Sequence, residues 1–183
     1  MKNILLFMNR RCNMNTLTED YQPHIQCQAV SKQYIKKHEP TEPTLLIAIN
    51  DYDHKFETFK ERTRYITYSK YTAVHWLFFD DIDETSLAHG GRITTRQAEN
   101  MIDFLDYQFA HRNFDKILVH CYAGISRSQA VALFIAKYYL HDDALYTQLY
   151  YQQGKHPGGN KLVYNRLINA YNKKHGDKND TFN

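Results

Sequence analysis

Long apolar runs are missing from this chain. The first, Ile4 to Met8, turns polar at Asn9-Arg10-Arg11. It is too short for a signal peptide or a membrane span, so no membrane partner and a cytoplasmic location are expected. Cysteine is sparse, with Cys12, Cys27 and Cys121 only. An odd count without C-x-x-C spacing argues against a disulfide framework and against a structural zinc site, and a reducing compartment fits it. No two histidines stand in H-x-x-x-H spacing, so surface or packing roles are the default for His54, His75, His89, His111, His141, His156 and His175. Charge of one sign is also scarce. The net value of +3 is too small to argue for nucleic acid, although a mildly basic face favours an acidic or phosphorylated partner. The glycines between Gly154 and Gly159 lack the Gly-Lys-Ser/Thr ending of a nucleotide-binding loop. No internal repeat and no linker divides the 183 residues, which suffice for one domain with a sizeable core.

What the chain has in quantity is tyrosine, 15 residues, taken as core and surface material rather than a stacking platform. Several segments carry clear periodicity. Ile25-Gln26-Cys27-Gln28-Ala29 alternates like a half-buried strand, with Cys27 on the apolar side. Ser31 can cap a short helix to about His38, ahead of Pro40 and Pro43. Thr44 to Ile49 and Ala73 to Phe79 are continuous apolar runs, the mark of strands buried on both faces. Asn50 to Asp53 reads as a turn, and Phe56 to Arg62 as a short helix. Thr94 and Gln97 form a capping box before Ala98, Met101, Ile102, Leu105 and Phe109 at helical spacing. After a strand at Ile117 to Val119, Gln129 to Leu140 reads as a buried helix, followed by helices over 142–153 and 161–172. The tail after Lys173 is expected to fray. Strands alternating with helices give an α/β domain with a mostly parallel sheet of about four to five strands. Ligands of such sheets bind beyond the carboxyl ends of the strands.

Two strand ends carry chemistry. Asp80, Asp81 and Asp83 follow one. His120-Cys121-Tyr122-Ala123-Gly124-Ile125-Ser126-Arg127-Ser128 follows the other and leads into a helix. A loop at a helix start gathers backbone N–H groups and the positive end of the helix dipole, so it suits an anion. With Arg127 beside it, the same loop favours the thiolate of Cys121.

The run from His120 to Ser128 resembles the His-Cys-x-x-Gly-x-x-Arg-Ser/Thr signature of the cysteine-dependent protein tyrosine phosphatases, most closely the small dual-specificity-like and bacterial-type members. The likeness covers Thr44 to about Asn172 and leaves residues 1–43 unplaced within a single domain spanning 1–183. It implies the phosphatase α/β fold and hydrolysis of phosphotyrosine, and also of phosphoserine and phosphothreonine, through a cysteinyl-phosphate. Cys121 would be the nucleophile. Arg127 and the loop amides of Tyr122, Ala123, Gly124, Ile125 and Ser126 would hold the phosphoryl oxygens. Gly124 would let the backbone approach the anion. Ser128 would donate to the departing sulfur, and His120 would orient the loop. Asp81 matches the family's general acid, with Asp83 and Asp80 as the other choices. Asn160 would support the loop or cap the last helix. No cofactor or metal is implied, because Arg127 and the amides neutralise the charge.

The partner so implied is a phosphorylated protein or peptide. RNA 5′-phosphatases share the signature, so an RNA 5′ end is an alternative substrate. Phosphoinositide phosphatases are another, although they tend to carry lysines in the loop and this one has none. A third reading, from a different class, is a phosphate-binding module with little or no turnover. It requires an intact loop and a missing or misplaced acid.

Overall fold

The computed structural model describes residues 25–52, 58–83, 91–111, 113–152 and 157–176. The apolar run at Ile4 to Met8, Cys12, the His89-Gly90 pair, Gly154 and the end of the tail lie outside them.

Four strands form one parallel sheet: β1 (Gln26–Ser31), β2 (Thr44–Asn50), β3 (Ala73–Phe78) and β4 (Lys116–Cys121), in the order β1-β4-β2-β3. The helices are α1 (Lys32–Lys37), α2 (Phe59–Thr63), α3 (Thr95–His111), α4 (Arg127–Tyr138), α5 (Asp143–Tyr151) and α6 (Lys161–His175). The expected α/β class with a parallel sheet is therefore observed, with four strands among the described residues.

Central strands are buried along almost their whole length and edge strands are not. All seven residues of β2 are buried, because it pairs on both sides and is covered on both faces. β3 departs from the expectation of a strand buried on both faces. It pairs only with β2, and of its six residues Leu77 alone is fully buried. One side is covered by aromatics: Phe59 and Tyr65 meet Trp76 edge-on at 5.8 and 6.2 Å. On the other, His75 stacks on Phe104 at 4.8 Å, and burial lowers its pKa to about 4.

The first forty residues are no longer wholly unplaced. β1 pairs with β4 from Gln26 opposite Lys116 to Ser31 opposite Cys121. The Ser31 hydroxyl then caps α1 by accepting from the Tyr34 N–H at 3.1 Å. Cys27 is a core thiol, its pKa pushed up to about 12 by burial. The capping box at Thr94 forms as read, with Gln97 N donating to Thr94 Oγ1 at 3.1 Å and Thr94 N donating to Gln97 Oε1 at 2.8 Å.

Several helix limits differ from the sequence reading: α2 runs from Phe59, after its Thr58 cap, to Thr63, and α4 ends at Tyr138 instead of Leu140. α4 begins at Arg127, two residues early, so Arg127 and Ser128 form its first turn. α6 continues to His175 instead of fraying after Lys173. Its last turn is tied to α3 through Lys173 to Glu99 and Lys174 and His175 to Asp106. No helix among the described residues is long and apolar enough to cross a membrane.

Candidate active site

The parallel register brings three strand ends to one edge. β4 ends at Cys121, β2 leads into Asp51, and β3 leads through Phe79 and Asp80 to Asp81. The α4 N-terminus rises from the same edge. A cavity of about 760 Å³ opens there.

Cys121 lies at its base and is 2% exposed. The Gly124 N–H donates to its Sγ at 3.3 Å, and Ser128 Oγ lies 3.2 Å from the same sulfur. Both contacts suit a thiolate, which accepts hydrogen bonds better than a thiol. The loop is held by carbonyls committed elsewhere. Tyr122 O accepts from Lys32 N at 3.2 Å, while Ser126 O accepts from Ala130 N at 3.1 Å and Asn160 N at 3.2 Å. Gly124 has a φ of +79°, and a Cβ there would stand 2.5 Å from the Ser31 nitrogen, so only glycine fits. Tyr122, Ala123, Ile125 and Ser126 line the cavity; Tyr122 is 73% exposed at its rim.

Arg127 is buried, with its guanidinium aimed at the cavity from the first turn of α4. Nη1 donates to Asp51 Oδ1 at 2.6 Å and to the Phe79 carbonyl at 2.7 Å. Its Nε is buried and has no hydrogen-bond partner. A buried cationic N–H left open in this way is costly unless an anion meets it.

The three acidic candidates separate. Asp81 and Asp83 line the cavity. Asp81 Oδ1 accepts from Ser126 Oγ at 2.7 Å and from Asn160 Nδ2 at 2.8 Å, and its Oδ2 stands 4.0 Å from Arg127 Nε. Asp80 points elsewhere. Its Oδ1 accepts from the Tyr52 N–H at 2.8 Å and its own N–H donates to Gly91 O at 2.6 Å, which ties the loop after β2 to the loop after β3. Asn160, read chiefly as a helix cap, does both jobs. Its Oδ1 accepts from Val163 N at 3.1 Å and caps α6, while its Nδ2 reaches Asp81 and the Ile82 carbonyl. Gly159 before it also has positive φ, +66°, and a Cβ there would stand 2.6 Å from Ser126 O.

His120 is fully buried beneath the loop. Burial lowers its pKa to about 4; a backbone contact with Cys121 opposes this, and the charges of Lys32 and Arg127 add to it. Its Nε2 shares a hydrogen bond of 3.0 Å with the Tyr65 hydroxyl, which also donates to Asn50 Oδ1 at 3.2 Å. Lys32 Nζ reaches the same Asn50 oxygen at 3.3 Å and stands over the Tyr65 ring. His120 therefore supports the loop as a neutral group and does not line the cavity.

Sequence reasoning missed Asp51, Asn50, Tyr65 and Lys32. Asp51 had an available signal: it follows the carboxyl end of a buried strand, as Asp81 and Cys121 do. The other three had none, since their roles depend on packing beneath the loop. Among the described residues, no cluster of His, Cys, Asp and Glu could hold a metal ion.

No family model and no curated protein sequence matches the chain. Solved structures similar to it include a human tyrosine phosphatase-like serine/threonine/tyrosine-interacting protein, at 17% identity and a TM-score of 0.43, over 80% of this chain and 87% of that one. Tk-PTP in its active form is similar at 14% identity and a TM-score of 0.44, over 84% and 92%. The Yvh1 phosphatase domain from Chaetomium thermophilum is similar at 18% identity and a TM-score of 0.40, over 80% and 87%.

Proposed function

We propose that this chain is a cysteine-dependent phosphatase that hydrolyses phosphate monoesters on proteins, phosphotyrosine first and phosphoserine or phosphothreonine second. The observation that carries the reading is the meeting of Cys121, Arg127 and Asp81 on one cavity, with the buried Nε of Arg127 lacking a hydrogen-bond partner. The cavity holds a nucleophile, a cationic clamp and a proton carrier, and its loop is shaped for an anion.

In this reading Cys121 attacks phosphorus as thiolate. The S–P bond forms as the bond from phosphorus to the leaving oxygen breaks. Asp81, protonated, gives its proton to that oxygen, since an alkoxide or phenolate is a poor leaving group. Arg127 and the loop amides carry the charge on the remaining phosphoryl oxygens. Water then attacks the cysteinyl-phosphate, with Asp81, now ionised, taking its proton. The sulfur leaves as thiolate, helped by the Ser128 hydroxyl and the Gly124 N–H. Asn160 and Ser126 keep the Asp81 carboxyl beside the loop. The absence of lysine from Tyr122 to Ser126 disfavours a phosphoinositide headgroup.

The test is hydrolysis of an aryl phosphate and of phosphotyrosine and phosphoserine peptides. Cys121→Ser should abolish turnover, and retained activity would remove the nucleophile assignment. Asp81→Asn should lose about 10²-fold or more on phosphoserine peptide and less on an activated aryl phosphate. Full activity of Asp81→Asn on the poorer leaving group would point to Asp83.

A further inference from the structure

A second cavity, about 830 Å³, adjoins the first between α5 and α6. The two share Lys161, and the successive glycines between α5 and α6 divide them: Gly159 lines the first and Gly158 the second. The second cavity is walled by Tyr146, Tyr150, Tyr151 and Tyr164 over a floor of Leu133 and Ile168. Among the described residues lining it, Lys161 is the only charged one. Its edge at Gly158 is set by close packing on Tyr150. Gly158 N donates to the Tyr150 carbonyl at 3.3 Å, and a Cβ on Gly158 would already press on the Tyr150 ring at 3.0 Å.

We propose that this groove is a specificity subsite for the polypeptide flanking the phosphorylated residue, and that it takes an apolar or aromatic side chain. The inference rests on the phosphatase reading and deepens it. A substrate whose phosphate sits on Cys121 and Arg127 must continue across the rim, and the shared lysine marks where the groove joins the phosphate cavity. The volume falls within the roughly 300–1,000 Å³ of small-ligand sites. Its lining is mostly aromatic and aliphatic, with Thr147, Asn165 and Lys161 as the polar members, and it gains by covering apolar surface. A single strand of RNA fits less well. Such strands need a positive track for successive phosphates and open ring faces for bases. Here one lysine stands at the junction. The tyrosines pack on one another instead, Tyr146 on Tyr150 at 6.2 Å and Tyr150 on Tyr151 edge-on at 5.1 Å.

The experiment compares phosphotyrosine peptides carrying Leu or Phe, Gly or Asp at each of the nearest flanking positions, with an aryl phosphate alongside. Variants are Thr147→Trp, which fills the groove from α5, and Tyr151→Ala, which removes an exposed wall. Wild-type protein should prefer an apolar flank at one position by about tenfold in kcat/KM. Both variants should erase that preference and leave aryl phosphate hydrolysis unchanged, which also reports that they fold. Equal rates for all flanks by an enzyme active on aryl phosphate would overturn the groove assignment alone. No turnover of any substrate by wild type would overturn the phosphatase reading instead. A 5′-phosphorylated oligonucleotide preferred over every peptide, with that preference lost in Thr147→Trp, would replace the peptide with RNA as occupant.

Discussion

Arg127 Nη1 donates to Asp51 Oδ1 at 2.6 Å, across 76 residues of sequence, and so the arginine that follows β4 is held from the end of β2, the neighbouring strand in the sheet. The guanidinium is held by this contact and by the Phe79 carbonyl, while its buried Nε lies 4.0 Å from Asp81 Oδ2 without a hydrogen bond. Asp51→Asn should keep the fold, because Asp51 is 43% exposed, but should loosen the clamp. A hydrogen bond to a charged group is worth about 1.5–3 kcal/mol, so kcat/KM on aryl phosphate should fall about tenfold or more. Asp51→Glu should recover part of the loss. Unchanged kinetics in Asp51→Asn would mean that the Phe79 carbonyl alone holds the arginine.

Asn160 has two separable duties, and two substitutions divide them. Asn160→Ala removes both the α6 cap and the contact with Asp81. It should lower stability by about 1 kcal/mol and reduce activity as well. Asn160→Asp keeps a capping oxygen for Val163 N but removes the donor to Asp81 and sets a like charge beside it. Its melting temperature should stay near wild type while turnover on phosphoserine peptide falls further than in Asn160→Ala. If the two variants lose activity only in proportion to their stability, the contact with Asp81 has no part in catalysis.

How far the sequence revealed this arrangement depended on the range of the forces involved. The strand and helix runs were legible because burial imposes a period on local sequence, as in β2 and in the capped start of α3. The run from His120 to Ser128 was legible because unusual residue types are concentrated there in a short stretch. Asp51 was not, since its significance arises only when the sheet order places β2 beside β4. Of the three aspartates after β3, the sequence favoured Asp81 through the family resemblance alone. That the Asp81 carboxyl meets Ser126 and Asn160 depends on the fold and not on local sequence. β3 misled because aromatic residues on an edge strand read like core. Trp76 and Phe78 are only half-buried, covered by each other and by the Phe59 ring at the start of the short α2.

The buried histidines predict how the protein responds to acid. His120 and His75 both have folded pKa values of about 4, lowered first by burial, against 6.5 for a free imidazole. Between those values the unfolded chain binds more protons than the folded one, so falling pH favours unfolding. The loss begins below about pH 6.5, grows towards pH 4 and is then complete. It amounts to a few kcal/mol for each ring, on the order of 1.4 kcal/mol per pH unit. His75 offers the clean test because it lies outside the site, stacked on Phe104. His75→Phe keeps an aromatic ring there and removes the titrating group. Thermal unfolding from pH 7.5 to 4.5 should show a shallower fall in melting temperature for His75→Phe than for wild type, with aryl phosphate hydrolysis at neutral pH retained. Identical slopes would mean that His75 takes up its proton in the folded state as readily as in the unfolded one.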